Sequence, residues 1–168
     1  MADPDNLDAA EAHAANARKQ MAALNACKDI VMLLSAESVP VLAGAASALF
    51  NLALDSANAE ALHSLGAMQQ LHMLVSHENT DVAGAVAGVL MNCCASSSQC
   101  RSELESQGLL STLLPLVASA QGDQAETFSN VEFLSRLLGA LNNLLLHMSA
   151  AVQQLWSLCG GHLVVTLT

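Results

Sequence analysis

Three stretches of the chain carry nearly the same order of apolar and polar positions. They are ALFNLALD from Ala48 to Asp55, VLMNCCAS from Val89 to Ser96, and ALNNLLLH from Ala140 to His147. Each places a leucine two residues before an asparagine: Leu49 and Asn51, Leu90 and Asn92, Leu141 and Asn143. The asparagines stand 41 and then 51 residues apart. A second marker trails each one, with Gly66, Gly108 and Gly161 lying 15, 16 and 18 residues further on. Leu71 and Leu113 follow the first two glycines at the same distance of five residues. Self-similarity at a near-constant period of this length is the signature of a repeat architecture.

Each unit reads as three helices. A short one closes at the glycine, which can take the left-handed conformation that ends a helix. A second of about ten residues follows, in AMQQLHMLVS, LLSTLLPLVA and, in the first unit, ACKDIVMLLS. After a polar break comes a longer third helix ending near the asparagine. Helix-start chemistry marks the breaks. Ser38 precedes Pro40, and proline suits a first turn. Asn79, Thr80 and Asp81 offer caps before VAGAVAGVLMN. Ser129 with Glu132 has capping-box spacing before FLSRLLGALNN. The third unit is about ten residues longer, and the excess falls in SAQGDQAETFSN, between its second and third helices.

The Gly-x4-Leu register, the Leu-x-Asn ending of the third helix and the small residues within that helix together resemble the armadillo repeat. The resemblance spans Ala26 to Thr168. It implies an all-α fold, a right-handed α-solenoid of about three armadillo-type repeats with a partial fourth at the C-terminus. The units fall at about 26–66, 67–108, 109–160 and 161–168. Residues 1–25 form a polar N-terminal segment and capping helix. Composition agrees with an all-α chain. Of 168 residues 53% are hydrophobic and only 2% aromatic, with alanine and leucine dominant.

Charge narrows the partners. A net charge of −10, from 15 acids and 5 bases, argues against nucleic acid and anionic membranes. The bases do not cluster: Arg18, Lys19 and Lys28 lie near the start, and Arg101 and Arg136 stand alone. The longest apolar stretch, Leu137 to Leu158, is broken by Asn142, Asn143, His147, Gln153 and Gln154, so no membrane insertion is expected. With no secretory leader in MADPDNLDAAEAHAANARK, a cytoplasmic location is expected.

The stretch GVLMNCCASSSQC holds three of the five cysteines. In the repeat register Cys93 replaces Leu52 and Leu144, which marks a small apolar core residue. Cys93 and Cys100 are spaced too widely for a metal motif, and His63, His72 and His77 straddle a helix and two breaks. No metal site and no cofactor is expected. Phosphate loops, nucleophile elbows and His-Glu-x-x-His motifs are all missing, so the chain reads as no enzyme.

In armadillo proteins the third helices line a concave groove. The resemblance therefore implies that Asn51, Asn92 and Asn143 form a ladder able to hold an extended peptide by its main chain, since an amide side chain both donates and accepts. A purely structural role, satisfying loose carbonyls near helix ends, fits the same residues. Nuclear-import adaptors of the family carry a tryptophan one turn before the asparagine, where this chain has Ser47, Gly88 and Gly139. Catenin-type arrays line the groove with bases, which are almost absent here. The expected function is a non-enzymatic protein-interaction scaffold. The alternative is a fragment or short isoform of a larger tetratricopeptide and armadillo co-chaperone or assembly factor. From Leu137 to Thr168 there is no charged residue, and Leu163, Val164, Val165 and Leu167 have no later unit to cover them. Self-association through this C-terminal face is the expected consequence.

Overall fold

A computed structural model describes residues 11–16, 19, 26–120 and 128–146. Residues 11–16 are helical. Eight further helices follow: α1 (Ala26–Leu33), α2 (Val39–Leu52), α3 (Ser56–Ser64), α4 (Ala67–Leu74), α5 (Thr80–Ser96), α6 (Ser98–Ser106), α7 (Leu109–Ala120) and α8 (Phe128–Leu146). The described residues contain no strand, so they are all-α as expected. None of their helices is long and apolar enough to cross a membrane.

Chain punctuation follows local chemistry. Gly66 and Gly108 adopt φ of 72° and 79°, which lets α3 turn into α4 and α6 into α7 within two residues. A residue with a Cβ is strained there by roughly 1–2 kcal/mol. The Asn79 side chain caps α5 by accepting from the Asp81 and Val82 amides at 3.1 and 3.2 Å. Asp55 caps α3 through the Ala57 amide, and Ser97 caps α6 through the Cys100 amide. Pro40 lies in the first turn of α2, although Ser38 there makes no side-chain cap bond. Ser129, expected to open a capping box with Glu132, lies inside α8 and not before it. Phe128 is already helical, and Glu132 is paired with Arg136 one turn on. Pro115 lies inside α7, where it is exposed.

The long helices α2, α5 and α8 pack side by side with α5 in the middle, and the short helices fill in behind. Ala83, Gly84, Ala85, Ala87 and Gly88 give α5 the narrow body that close neighbours on both sides require. Nearly all of its residues from Val82 to Cys94 are buried. Around it lies one apolar core containing Leu49, Leu62, Leu71, Leu90, Leu104, Leu113, Leu137 and Leu144. Leu52, Cys93 and Leu144, the three residues placed in one register by the sequence, are all buried there.

Polar contacts tie the elements together at recurring separations. Among the short helices, His63 Nδ1 meets Glu103 Oε2 at 2.6 Å and His72 Nε2 meets Thr112 Oγ1 at 2.7 Å, each pair 40 residues apart. The Cys100 thiol donates to the Ala59 carbonyl, 41 residues back. Two further side chains donate to carbonyls in the last turn of a long helix. Asn58 donates to Leu52 O at 2.9 Å, and Arg101 Nη1 donates to Cys94 O at 2.6 Å.

A candidate binding face on the long helices

Asn51, Asn92 and Asn143 each lie in the last turns of a long helix, and they fall in one row. The row is held by the asparagines themselves. Asn92 Nδ2 donates to the carbonyl of Phe50, next to Asn51, at 3.0 Å. Asn143 Nδ2 donates to the carbonyl of Met91, next to Asn92, at 3.1 Å. Asn51 bonds within its own helix, to Ser47 O at 3.2 Å. The first is exposed, Asn92 is buried at 8% exposure and Asn143 is half-buried. Two of the three amide N–H groups are therefore already engaged in bridging helices.

The residue just before each of the first two asparagines leans onto the next long helix. A Cβ at Gly88 would lie 2.6 Å from Phe50 Cδ2, and one at Gly139 would lie 2.5 Å from Met91 Sδ. These glycines occur one turn before Asn92 and Asn143. The position read from the sequence as lacking an aromatic wall thus has a ring against it, brought by Phe50 from the neighbouring helix.

Arg136 crosses this face. Its guanidinium carbon stands 4.5 Å from the centroid of the Phe50 ring, a cation–π contact. Nη1 donates to the Gly84 carbonyl at 2.9 Å, and Nη2 pairs with Glu132. One side chain of α8 thereby touches both α5 and α2. Beside it opens a cleft of about 250 Å³, lined by Ser47, Thr80, Asp81, Gly84, Glu132 and Arg136 among others. Sequence reading missed Arg136 because its partners lie 52 and 86 residues away. The only local signal was its i,i+4 spacing from Glu132.

The cysteines lie away from this face, in the core. Cys27, Cys93, Cys94 and Cys100 are free and buried. Cys159 lies outside the described residues, as do Gly161 and the apolar C-terminal residues from Leu163 to Leu167. A hydrogen bond to Cys100, reinforced by burial, holds the Cys93 thiol well above its ordinary pKa. Burial, helped by the neighbouring Cys100, pushes Cys94 up to about 12. Cys93 and Cys94 are held protonated, the inert form, whereas the hydrogen bond to Cys93 draws the Cys100 thiol down to about 7. No group of three or more His, Cys, Asp or Glu among the described residues is arranged to hold a metal ion. His63, His72 and His77 do not converge; each has its own partner, in Glu103, Thr112 and the Asn79 amide. A second opening, lined by His63, Gln99, Ser102, Glu103 and Ser106, lies on the short helices.

No protein-family model and no curated protein matches the chain. The fold is similar to that in two crystal structures of engineered proteins from the Northeast Structural Genomics Consortium. One aligns with a TM-score of 0.72 at 21% identity over 83% of this chain, the other with 0.68 at 22% over 78%. The aligned part spans 32% of the first engineered protein and 50% of the second.

Proposed function

We propose that this chain is an armadillo-type α-solenoid that serves as a non-enzymatic protein-interaction scaffold, taking an extended peptide segment along the face of α2, α5 and α8. The observation that carries the reading is the paired Asn92–Phe50 and Asn143–Met91 bonds. The same side chain, at the same place in successive long helices, reaches the same carbonyl of the helix before. A row of helices tied at one register presents a continuous surface, and repeat proteins use such surfaces to bind extended partners. The order of short, short and long helix, with left-handed Gly66 and Gly108 between the short ones, supports the repeat assignment. The cleft beside Arg136 supplies hydroxyl, carboxylate and guanidinium groups on that face, suited to polar recognition.

In this reading Asn92 and Asn143 serve first as staples between helices, and ligand contact falls to the exposed Asn51 and to the cleft. The location is cytoplasmic and no cofactor takes part. The test is a dodecamer peptide selected against the protein from a random display library. Ser47→Trp, which fills the cleft, should weaken its binding at least about tenfold, a loss of about 1.4 kcal/mol. Gln99→Trp on the short helices should leave binding unchanged. Equal binding by the Ser47 variant would overturn the proposal.

A further inference from the structure

The contacts of Arg136 say more about the ligand than the cleft alone does, on the reading that the face of α2, α5 and α8 binds a peptide. Three independent features converge on one guanidinium. The Phe50 ring provides a π-face at 4.5 Å. That ring is backed by Gly88, where even a methyl group would collide with it, so it cannot retreat into α5. The Gly84 carbonyl accepts a hydrogen bond at 2.9 Å. Its residue has no side chain to screen it, and a Cβ there would meet the guanidinium at 3.8 Å. A carboxylate, Glu132, completes the set. Aromatic face, bare carbonyl and carboxylate are the groups that recognise a guanidinium in any protein.

We propose that this is a guanidinium-binding subsite occupied in cis by Arg136, and that an arginine side chain of a partner peptide enters it by displacing Arg136. The occupant is commensurate with its surroundings. The protein carries a net charge of −10, and Asp81 stands in the adjoining cleft of about 250 Å³ together with the hydroxyls of Ser47 and Thr80. Arg136 is one-fifth exposed and Glu132 about half, so the subsite opens to solvent along one edge. The cleft gives the displaced Arg136 a place to swing with a carboxylate at hand. The resident arginine lowers the apparent affinity for the partner by the fraction of time the subsite is empty. Arg136 therefore acts as a built-in competitor that sets a threshold for binding.

The test uses the full chain and two short peptides, acetyl-Ser-Gly-Arg-Gly-Ser-amide and its citrulline counterpart, titrated by nuclear magnetic resonance. Citrulline keeps the size and the hydrogen-bonding edge but lacks the charge. Arg136→Gln keeps a donor for the Gly84 carbonyl while removing the cation, and circular dichroism checks its fold. The arginine peptide should bind Arg136→Gln about ten times more tightly than the wild type, as expected for a subsite about one-tenth vacant. It should shift resonances of α2, α5 and α8. Adding Phe50→Leu to the Arg136→Gln background should remove that gain, and the citrulline peptide should bind neither protein.

Equal affinity for wild type and Arg136→Gln, or equal binding of citrulline, would overturn the competitor proposal. If the shifted resonances still lay on α2, α5 and α8, the peptide-binding reading of that face would survive. Shifts confined to the cleft at His63 and Glu103 would sink both.

Discussion

The Asn92 side chain donates to the backbone carbonyl of Phe50 while the ring of that same Phe50 fills the space beside Gly88, one turn earlier in the helix of Asn92. Residue and neighbour thus grip each other twice, once through a polar bond and once through packing. The pairing recurs between Asn143, Met91 and Gly139, so it is a property of the interface between successive long helices.

Removing the polar half of the grip should cost stability only where it bridges helices. Asn92→Ala leaves the Phe50 carbonyl without its partner, for a loss of about 1–3 kcal/mol. Asn51→Ala removes a bond to its own helix at an exposed site, and the change should stay within about 0.5 kcal/mol. Urea denaturation with a constant m-value distinguishes the two. Equal losses would show that the bridging bond carries no special weight.

The glycines of the long helices should respond in opposite directions to the same substitution. At Gly88 a methyl group meets a ring that is pinned, and overpacking of this kind costs about 1–3 kcal/mol. At Gly84 it meets nothing closer than 3.8 Å, and the gain in helix propensity is about 1 kcal/mol. Gly139→Ala should be milder than Gly88→Ala, because the group in its way is the Met91 thioether, which can rotate aside. Thermal melts of the three alanine variants should rank Gly84, then Gly139, then Gly88 from most to least stable. A reversed order would contradict the packing described here.

What could be read from the sequence was whatever depends on local conformation or on register. Gly66 and Gly108 were legible because only glycine enters the left-handed turn cheaply. Cys93 could be assigned to the core because it shares its register with Leu52 and Leu144. What could not be read depends on which surfaces meet. Glu132 fits both a capping box and an i,i+4 pair with Arg136, and only the helix start at or before Phe128 decides between them. Arg101 and Asn58 differ in charge and length, yet both donate an N–H to a carbonyl at the end of the preceding long helix. Residue type alone does not match the two positions.

The thiols of Cys93 and Cys94 make stability fall on the alkaline side, while Cys100, lowered to about 7, has completed its opposite contribution by about pH 9. Cys94 has a folded pKa near 12, above the roughly 8.5 of an unfolded thiol, and Cys93 is shifted in the same direction. For a raised pKa the stabilisation is complete below the unfolded value and is lost as pH climbs towards the folded one. Under reducing conditions, unfolding free energy should therefore decline between about pH 9 and 12. Each such thiol contributes about 1.4 kcal/mol per pH unit. Cys94→Ala should lessen the slope even if it lowers the starting stability. A flat profile from pH 8 to 10.5 would exclude this linkage.

The most direct test of the central claim, that the face of α2, α5 and α8 is a peptide-binding surface, is a hydrogen-exchange footprint. The protein is compared free and saturated with a dodecamer selected from a random display library. Slowed exchange should fall on α2, α5 and α8 around Ser47, Gly84 and Arg136, with α3, α4, α6 and α7 unchanged. Protection concentrated instead on α3 and α6, around His63 and Glu103, would contradict the account.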